Sequence, residues 1–196
     1  MKTLFNLILI HSILVVNLAC KKDGTSFKYG PFSIQNDTTA IMNGDMGNRI
    51  EKQLNNLMED YPNIKLLHFG ECPGSKNDEA MMDAAKILRN NGINTHLPSN
   101  AIVESGAVDL FLSGNIRTRD PGSKIGVHSW SSGNSSATDY SLGHEEHQPY
   151  INFYIFCGFS NEQAKEFYYF TINSAGPNDI YYMTEEEINE YNLITQ

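Results

Sequence analysis

Two hydrophobic periods alternate along the chain after about residue 30. Short apolar runs of the strand type occur at PFSIQ (31–35), TAIMNG (39–44), IKLLHFG (64–70), INTHLP (93–98) and SKIGVHSW (123–130). Segments 46–61 and 77–92 lie between them and place their apolar residues at helical spacing, such as Ile50, Leu54 and Leu57 in the first. Strands that alternate with helices of ten or more residues favour an α/β fold with a mostly parallel sheet and crossover helices.

Three strand ends carry residue types that catalytic sites use. The run IKLLHFG leads into ECPGS, INTHLP leads into SNAIVESG, and SKIGV leads to His128. Because ligands of parallel sheets bind at the carboxyl ends of strands, these segments are expected to converge. They supply a glycine turn, a serine (Ser105) at the start of a helix and an imidazole, which together suit acyl transfer by a serine hydrolase. Ser105 as a simple helix cap is the alternative, although Val108 stands where a capping box needs Glu or Gln.

Three motifs resemble the Clp protease proteolytic subunit (ClpP) family of the ClpP/crotonase fold. They are ECPGSKNDEAMMDAAKILRNNG, ESGAVDLFLSG and RTRDPGSKIGVHSW, in the family's order, and the tail NDIYYMTEEEINEYNLIT is similar to the family's closing segment. The resemblance extends over roughly residues 34–194, and looks closest to secreted relatives of the peptidase. It implies an α/β fold of repeated β-β-α units.

The resemblance also implies roles for individual residues. It places the nucleophile at Ser105, the general base at His128 and the oxyanion-hole amides at Gly74 and Gly106. The family's third catalytic residue, an aspartate, aligns one position after Asp179, which is the acid available there. A Ser105, His128 and Asp179 triad is therefore expected, with the Ser-His pair as its firmer part.

Two residues depart from the family's pattern. Ser75 replaces the second glycine of a Gly-Gly pair, and would be strained if that position needed a positive φ. Glu104 places a carboxylate beside the nucleophile, where it would oppose an oxyanion unless it points to solvent. Both departures motivate an alternative to the peptidase, namely a catalytically impaired oligomeric or peptide-binding scaffold. A crotonase-like acyl-CoA enzyme fits the residues less well.

The first residues read as an export signal. An apolar run from Leu4 to Leu18 precedes Ala-Cys and the polar stretch KKDG, which resembles a bacterial lipobox with Cys20 as the acylated residue. This predicts a lipoprotein-type signal peptide at 1–19, a polar tether at 20–30 and a ClpP-like domain at 31–196. An ordinary cleaved signal and an uncleaved N-terminal anchor remain alternatives. The predicted location is outside the cytoplasm, lipid-anchored to a bacterial cell membrane.

Composition limits the classes of binding partner that are expected. The 196 residues are enough for one domain, and the formal charge of −9 with no basic cluster argues against nucleic acid. Peptide or unfolded protein is the expected substrate, without ATP, because the chain has no phosphate-binding G-x-x-x-x-G-K-[ST] loop. No cofactor is predicted, and no metal site, since GHEEHQPY matches no metal-binding pattern.

Two further features leave the assembly and the redox state open. Aromatic runs in the C-terminal half fall where the resembled family builds oligomers, which implies a homo-oligomer with membrane contact only through the N-terminal lipid. Cys72 and Cys157 could form a disulfide in an oxidising compartment, or remain buried thiols.

Overall fold

The protein folds around two mostly parallel β-sheets, as a computed structural model describing residues 28–196 shows. The first sheet has the strand order β1-β2-β3-β5-β7, with β1 antiparallel to β2 and the other pairs parallel. Its strands are β1 (Phe32–Asn36), β2 (Thr39–Met42), β3 (Leu66–Phe69), β5 (Asn94–Leu97) and β7 (Arg117–Arg119).

The second sheet contains the strands that follow β3, β5 and β7 in the chain, together with β11. It has the order β11-β8-β6-β4, parallel except for β11. Its strands are β4 (Glu71–Cys72), β6 (Ile102–Glu104), β8 (Lys124–Val127) and β11 (Tyr181–Tyr182), and a separate hairpin joins β9 (Ser131–Ser132) to β10 (Ser135–Ser136). The consecutive strands β3–β4, β5–β6 and β7–β8 thus each pass from the first sheet to the second, as in repeated β-β-α units.

Six α-helices that lie wholly within residues 28–196 surround the sheets. The helices are α1 (Ile50–Asp60), α2 (Asp78–Asn90), α3 (Gly106–Leu112), α4 (Gln148–Phe156), α5 (Asn161–Ser174) and α6 (Glu185–Glu190) among the described residues. Helix α1 buries Ile50, Leu54 and Leu57, as their spacing predicts. Helix α2 begins where the Asn77 side chain accepts a hydrogen bond of 3.0 Å from the amide of Ala80.

A buried arginine ties the C-terminal tail to the core. Arg117 on β7 is only 6% exposed, and its guanidinium donates to the carbonyls of Leu193 (2.7 Å), Asn192 (3.2 Å) and Cys157 (3.4 Å). Burial lowers the pKa of Arg117, but backbone carbonyls satisfy its donors. Neighbouring Cys157, like Cys72, is a buried free thiol, so the structure contains no disulfide between these two cysteines.

The sequence prediction overlooked the short strands of the second sheet. β4 and β6 are two and three residues long, and the sequence pattern assigned them to loops. The signal peptide, Cys20 and most of the tether lie outside the described residues. Within residues 28–196, no helix has the length and apolar character needed to cross a membrane.

Candidate active site

Ser105 occupies a strained turn between β6 and α3. Its φ of 53° and ψ of −133° are unusual for a residue with a side chain, and cost on the order of 1–3 kcal/mol. Two backbone hydrogen bonds hold the turn, from the amide of Ser105 to the carbonyl of Gly126 (3.0 Å) and from the amide of Val108 to the carbonyl of Ser105 (2.8 Å). The Ser105 side chain does not cap α3. The helix-cap interpretation is therefore wrong, and the hydroxyl is left available.

Two glycines allow the backbone to approach this serine closely. Gly74 has a φ of 127°, and a Cβ there would lie 2.9 Å from the Cβ of Ser105. A Cβ at Gly106 would lie 2.8 Å from the Cβ of Ser75. Gly106 is also the first residue of α3, where the amide has no intrahelical acceptor. The amides predicted for an oxyanion hole thus flank Ser105 from two sides.

Ser75 does not carry the strain that its sequence position suggested. The positive φ falls on Gly74 and not on Ser75. The Ser75 hydroxyl donates to Asp78 Oδ1 (2.5 Å), and Tyr150 donates to the other oxygen of the same carboxylate (2.7 Å). Asp78 therefore links the loop after β4 to helix α4.

The Glu104 side chain is engaged by a tyrosine of the second sheet. Its carboxylate accepts a hydrogen bond from the hydroxyl of Tyr182, which lies on β11 of the same sheet. Successive side chains of a strand point to opposite faces, and Glu104 is the last residue of β6. The carboxylate is thus engaged by a partner other than Ser105.

His128 follows the last residue of β8 and lines the same cavity as Ser105. Its Nδ1 is buried and has no hydrogen-bond partner among the described residues. Asp179 is exposed in the loop after α5 and does not accept from this nitrogen. The predicted contact between Asp179 and His128 is therefore absent, because the loop turns through Gly176 and leaves this carboxylate in solvent.

Two cavities meet at Ser105 and His128. The smaller, of about 40 Å³, extends inward between helices α3, α4 and α5. The larger is an open groove of about 620 Å³ that also contains Ser75, Trp130 and Tyr150. Trp130 stacks on Tyr150 with ring centroids 5.6 Å apart and an angle of 12°, and forms an aromatic wall of the groove.

The inner cavity contains a carboxyl group that the sequence prediction did not assign to the site. Asp109 lies one turn after Ser105 on the same face of α3, and the Tyr154 hydroxyl donates to its Oδ1 (2.8 Å). Burial raises the pKa of Asp109 to about 7, the nearby Asp78 raises it further, and the Tyr154 hydrogen bond opposes the shift. The spacing of four residues from Ser105 is the sequence signal that could have identified it.

Comparison with known proteins adds evidence at the level of the fold. No family model matches the sequence, and no curated protein does. Two solved structures of 1510-N, a membrane-bound stomatin-specific protease, superpose on the chain. One is a lysine-to-alanine mutant in complex with a substrate peptide (TM-score 0.51, 17% identity, 80% of this chain and 72% of that chain). The other is a serine-to-alanine mutant (TM-score 0.52, 16% identity, 80% of this chain and 76% of that chain).

The fold is that of the ClpP-like serine peptidases. The predicted α/β class, the mostly parallel sheets and the family resemblance at fold level are thereby confirmed. At this sequence identity the similarity does not extend to individual residues, whose roles rest on the geometry described above.

Proposed function

We propose that this protein is a serine peptidase in which Ser105 is the nucleophile and His128 the general base. The observation that carries the proposal is the strained turn at Ser105, which leaves its hydroxyl unbonded, in the cavity that His128 also lines and close to Gly74 and Gly106. A non-glycine residue in such a conformation is typical of sites where the strain serves a function.

The reaction follows from the positions of these groups. His128 accepts the hydroxyl proton as Ser105 Oγ attacks the peptide carbonyl, and the amides of Gly74 and Gly106 donate to the oxygen that becomes negative. His128 then gives its proton to the leaving amine, which breaks the C–N bond and leaves an acyl-enzyme. Water, activated by the same imidazole, hydrolyses the ester and restores Ser105.

His128 is a better base than any lysine in the groove. Lys76 and Lys86 line the groove, but each is exposed and ion-paired, with Asp45 (3.0 Å) and Asp83 (2.7 Å) respectively. Each lysine is thus held by a carboxylate at the surface, whereas His128 lines both cavities together with Ser105.

The open groove favours an extended peptide as substrate. It passes Ser105 between the loop after β4 and the Trp130–Tyr150 stack, and such a groove can bind main chain with modest side-chain selectivity. The proposal includes the sequence-based expectations of export, a lipid at Cys20, independence from ATP and a homo-oligomer.

A fluorophosphonate probe tests the proposal. Purified wild-type protein should be labelled, whereas Ser105→Ala should not be labelled and His128→Ala should be labelled at least about 100-fold more slowly. Asp179→Asn is a control that should label at the wild-type rate, because Asp179 does not contact His128. Absence of labelling in folded wild-type protein would refute the peptidase and favour the catalytically impaired scaffold.

A further inference from the structure

The inner cavity beside Ser105 is lined by two carboxyl groups, those of Asp78 and Asp109. Among residues 28–196, the basic side chain in its lining is His128, and no lysine or arginine lines it. The two carboxyl groups are close enough for the charge of Asp78 to raise the pKa of Asp109. Bringing a cation between them would therefore relieve a repulsion that the protein alone leaves in place.

Apart from that of Ser105, the hydroxyl groups of the cavity are already used by the protein. Tyr150 donates to Asp78 (2.7 Å) and Tyr154 donates to Asp109 (2.8 Å). Thr171 donates to the carbonyl of Tyr168 (2.7 Å), and the Tyr168 hydroxyl bonds the ring of His147 and accepts from Trp130. With Ser105 and His128 assigned to the reaction, the second carboxyl oxygen of Asp109 remains for a ligand, and it is an acceptor. This arrangement suits a ligand that brings its own donors.

The dimensions of the cavity select a narrow ligand. A volume of about 40 Å³ accommodates roughly three groups the size of a water molecule, at about 10–15 Å³ each. Val108, Val127 and Ile172 supply apolar walls along it. The terminal methylenes and ammonium of a lysine side chain match this combination of apolar walls and acidic end, whereas the wider guanidinium of arginine does not.

We propose that this cavity is the specificity pocket of the peptidase and that it binds a lysine side chain on the acyl side of the scissile bond, with Asp109 as the group that recognises the ammonium. The inference rests on the proposed function, because it needs Ser105 to cleave the bond. Ser105 and His128 both line the cavity, so a side chain bound in it would bring its own carbonyl toward the Ser105 hydroxyl.

The test uses peptides that differ at one position. Four fluorogenic peptides carry lysine, norleucine, arginine or glutamate before the scissile bond, and kcat/KM is measured for wild type, Asp109→Asn and the control Glu59→Gln. Glu59 is an exposed acid of α1 that lines neither cavity. Norleucine keeps the four carbons of the lysine side chain and lacks its ammonium, so the lysine-to-norleucine ratio isolates the ammonium.

The expected wild-type ratio is at least tenfold in favour of lysine, with arginine below lysine. Asp109→Asn should bring the ratio close to one through a rise in KM for the lysine peptide, while the norleucine rate shows that the variant is folded. Glu59→Gln should keep the wild-type ratio. Equal or better cleavage of norleucine by the wild type, or fluorophosphonate labelling of Ser105 without cleavage of the lysine peptide, would overturn the inference alone. Failure of both labelling and cleavage would overturn the proposed function with it.

Discussion

Replacing Asp109 by Asn should change how the stability of the protein depends on pH. Asp109 lies in the wall of the inner cavity, where burial raises its pKa from 3.8 to about 7. Asn keeps the shape of the side chain and the oxygen that accepts from Tyr154, but it cannot ionise. The titratable groups that face Asp109 are Asp78 from α2, Tyr150, Tyr154 and Cys157 from or just after α4, and His128 across the cavity.

The sign and size of the effect follow from proton linkage. Between pH 4 and 7 the folded state holds a proton on Asp109 that the unfolded state has lost, so the free energy of unfolding falls as pH rises. A shift of roughly 3 units corresponds to about 4 kcal/mol once the pH exceeds the folded pKa. The raised pKa of Asp109 thus lowers the free energy of unfolding by about 1.5 kcal/mol at about pH 5 and by about 4 kcal/mol at about pH 8.5. Asp109→Asn should therefore gain about 2.5 kcal/mol relative to wild type between these pH values.

Chemical denaturation at several pH values measures this gain. The difference in unfolding free energy between variant and wild type is taken at each pH, so that groups titrating equally in both proteins cancel. Glu59→Gln is the matched control and should give a difference that varies little with pH, because Glu59 is exposed. If the Asp109→Asn difference were equally flat, Asp109 would ionise as in a free chain and the reasoning about its burial would be wrong.

Three further predictions test the strained turn, the oxyanion hole and the thiols. Ser105→Gly should be about 0.5–2 kcal/mol more stable than Ser105→Ala in thermal denaturation, because glycine relieves the positive φ at a smaller cost in chain entropy; equal stabilities would contradict the strain. Gly106→Ala should lower kcat at least about 100-fold, since its Cβ would contact Ser75, and adding Ser75→Gly should recover part of the loss; no recovery would place the damage elsewhere. Cys72 and Cys157, whose pKa values burial raises to about 11 and about 12, should react with a thiol reagent only after unfolding, and rapid labelling of the native protein would contradict their burial.

Hydrophobic periodicity predicted the layers of this fold well where elements were long. Helix α1 and helix α2 begin and end close to the segments that their apolar spacing indicated. Strands β4 and β6 escaped detection because two or three residues are too few to establish an alternating pattern. These short strands form because β6 pairs with both β4 and β8, and the paired residues are distant in sequence.

The site was predictable only in part for a related reason. Ser105 and His128 stand next to glycines and strand ends, so that local sequence identified them. Asp179 was assigned from its position in the chain, but the path of its loop, which no local pattern describes, leaves its carboxyl in solvent. Asp109 was not assigned to the site, because its burial by α4 and α5 depends on contacts that lie more than 40 residues away in the sequence.

Helix α4 connects these observations. Tyr150 and Tyr154 are one turn apart on it and donate to Asp78 on α2 and Asp109 on α3, so a single helix face holds both carboxyl groups of the inner cavity. Asp78 in turn accepts from Ser75, whose side chain occupies the space that a Cβ at Gly106 would need. The serine in the loop after β4 is thus tied to the wall of the inner cavity through Asp78. If the proposed function holds, the contacts that shape the specificity pocket also hold the loop that contains Gly74, and a change in α4 should alter selectivity and rate together.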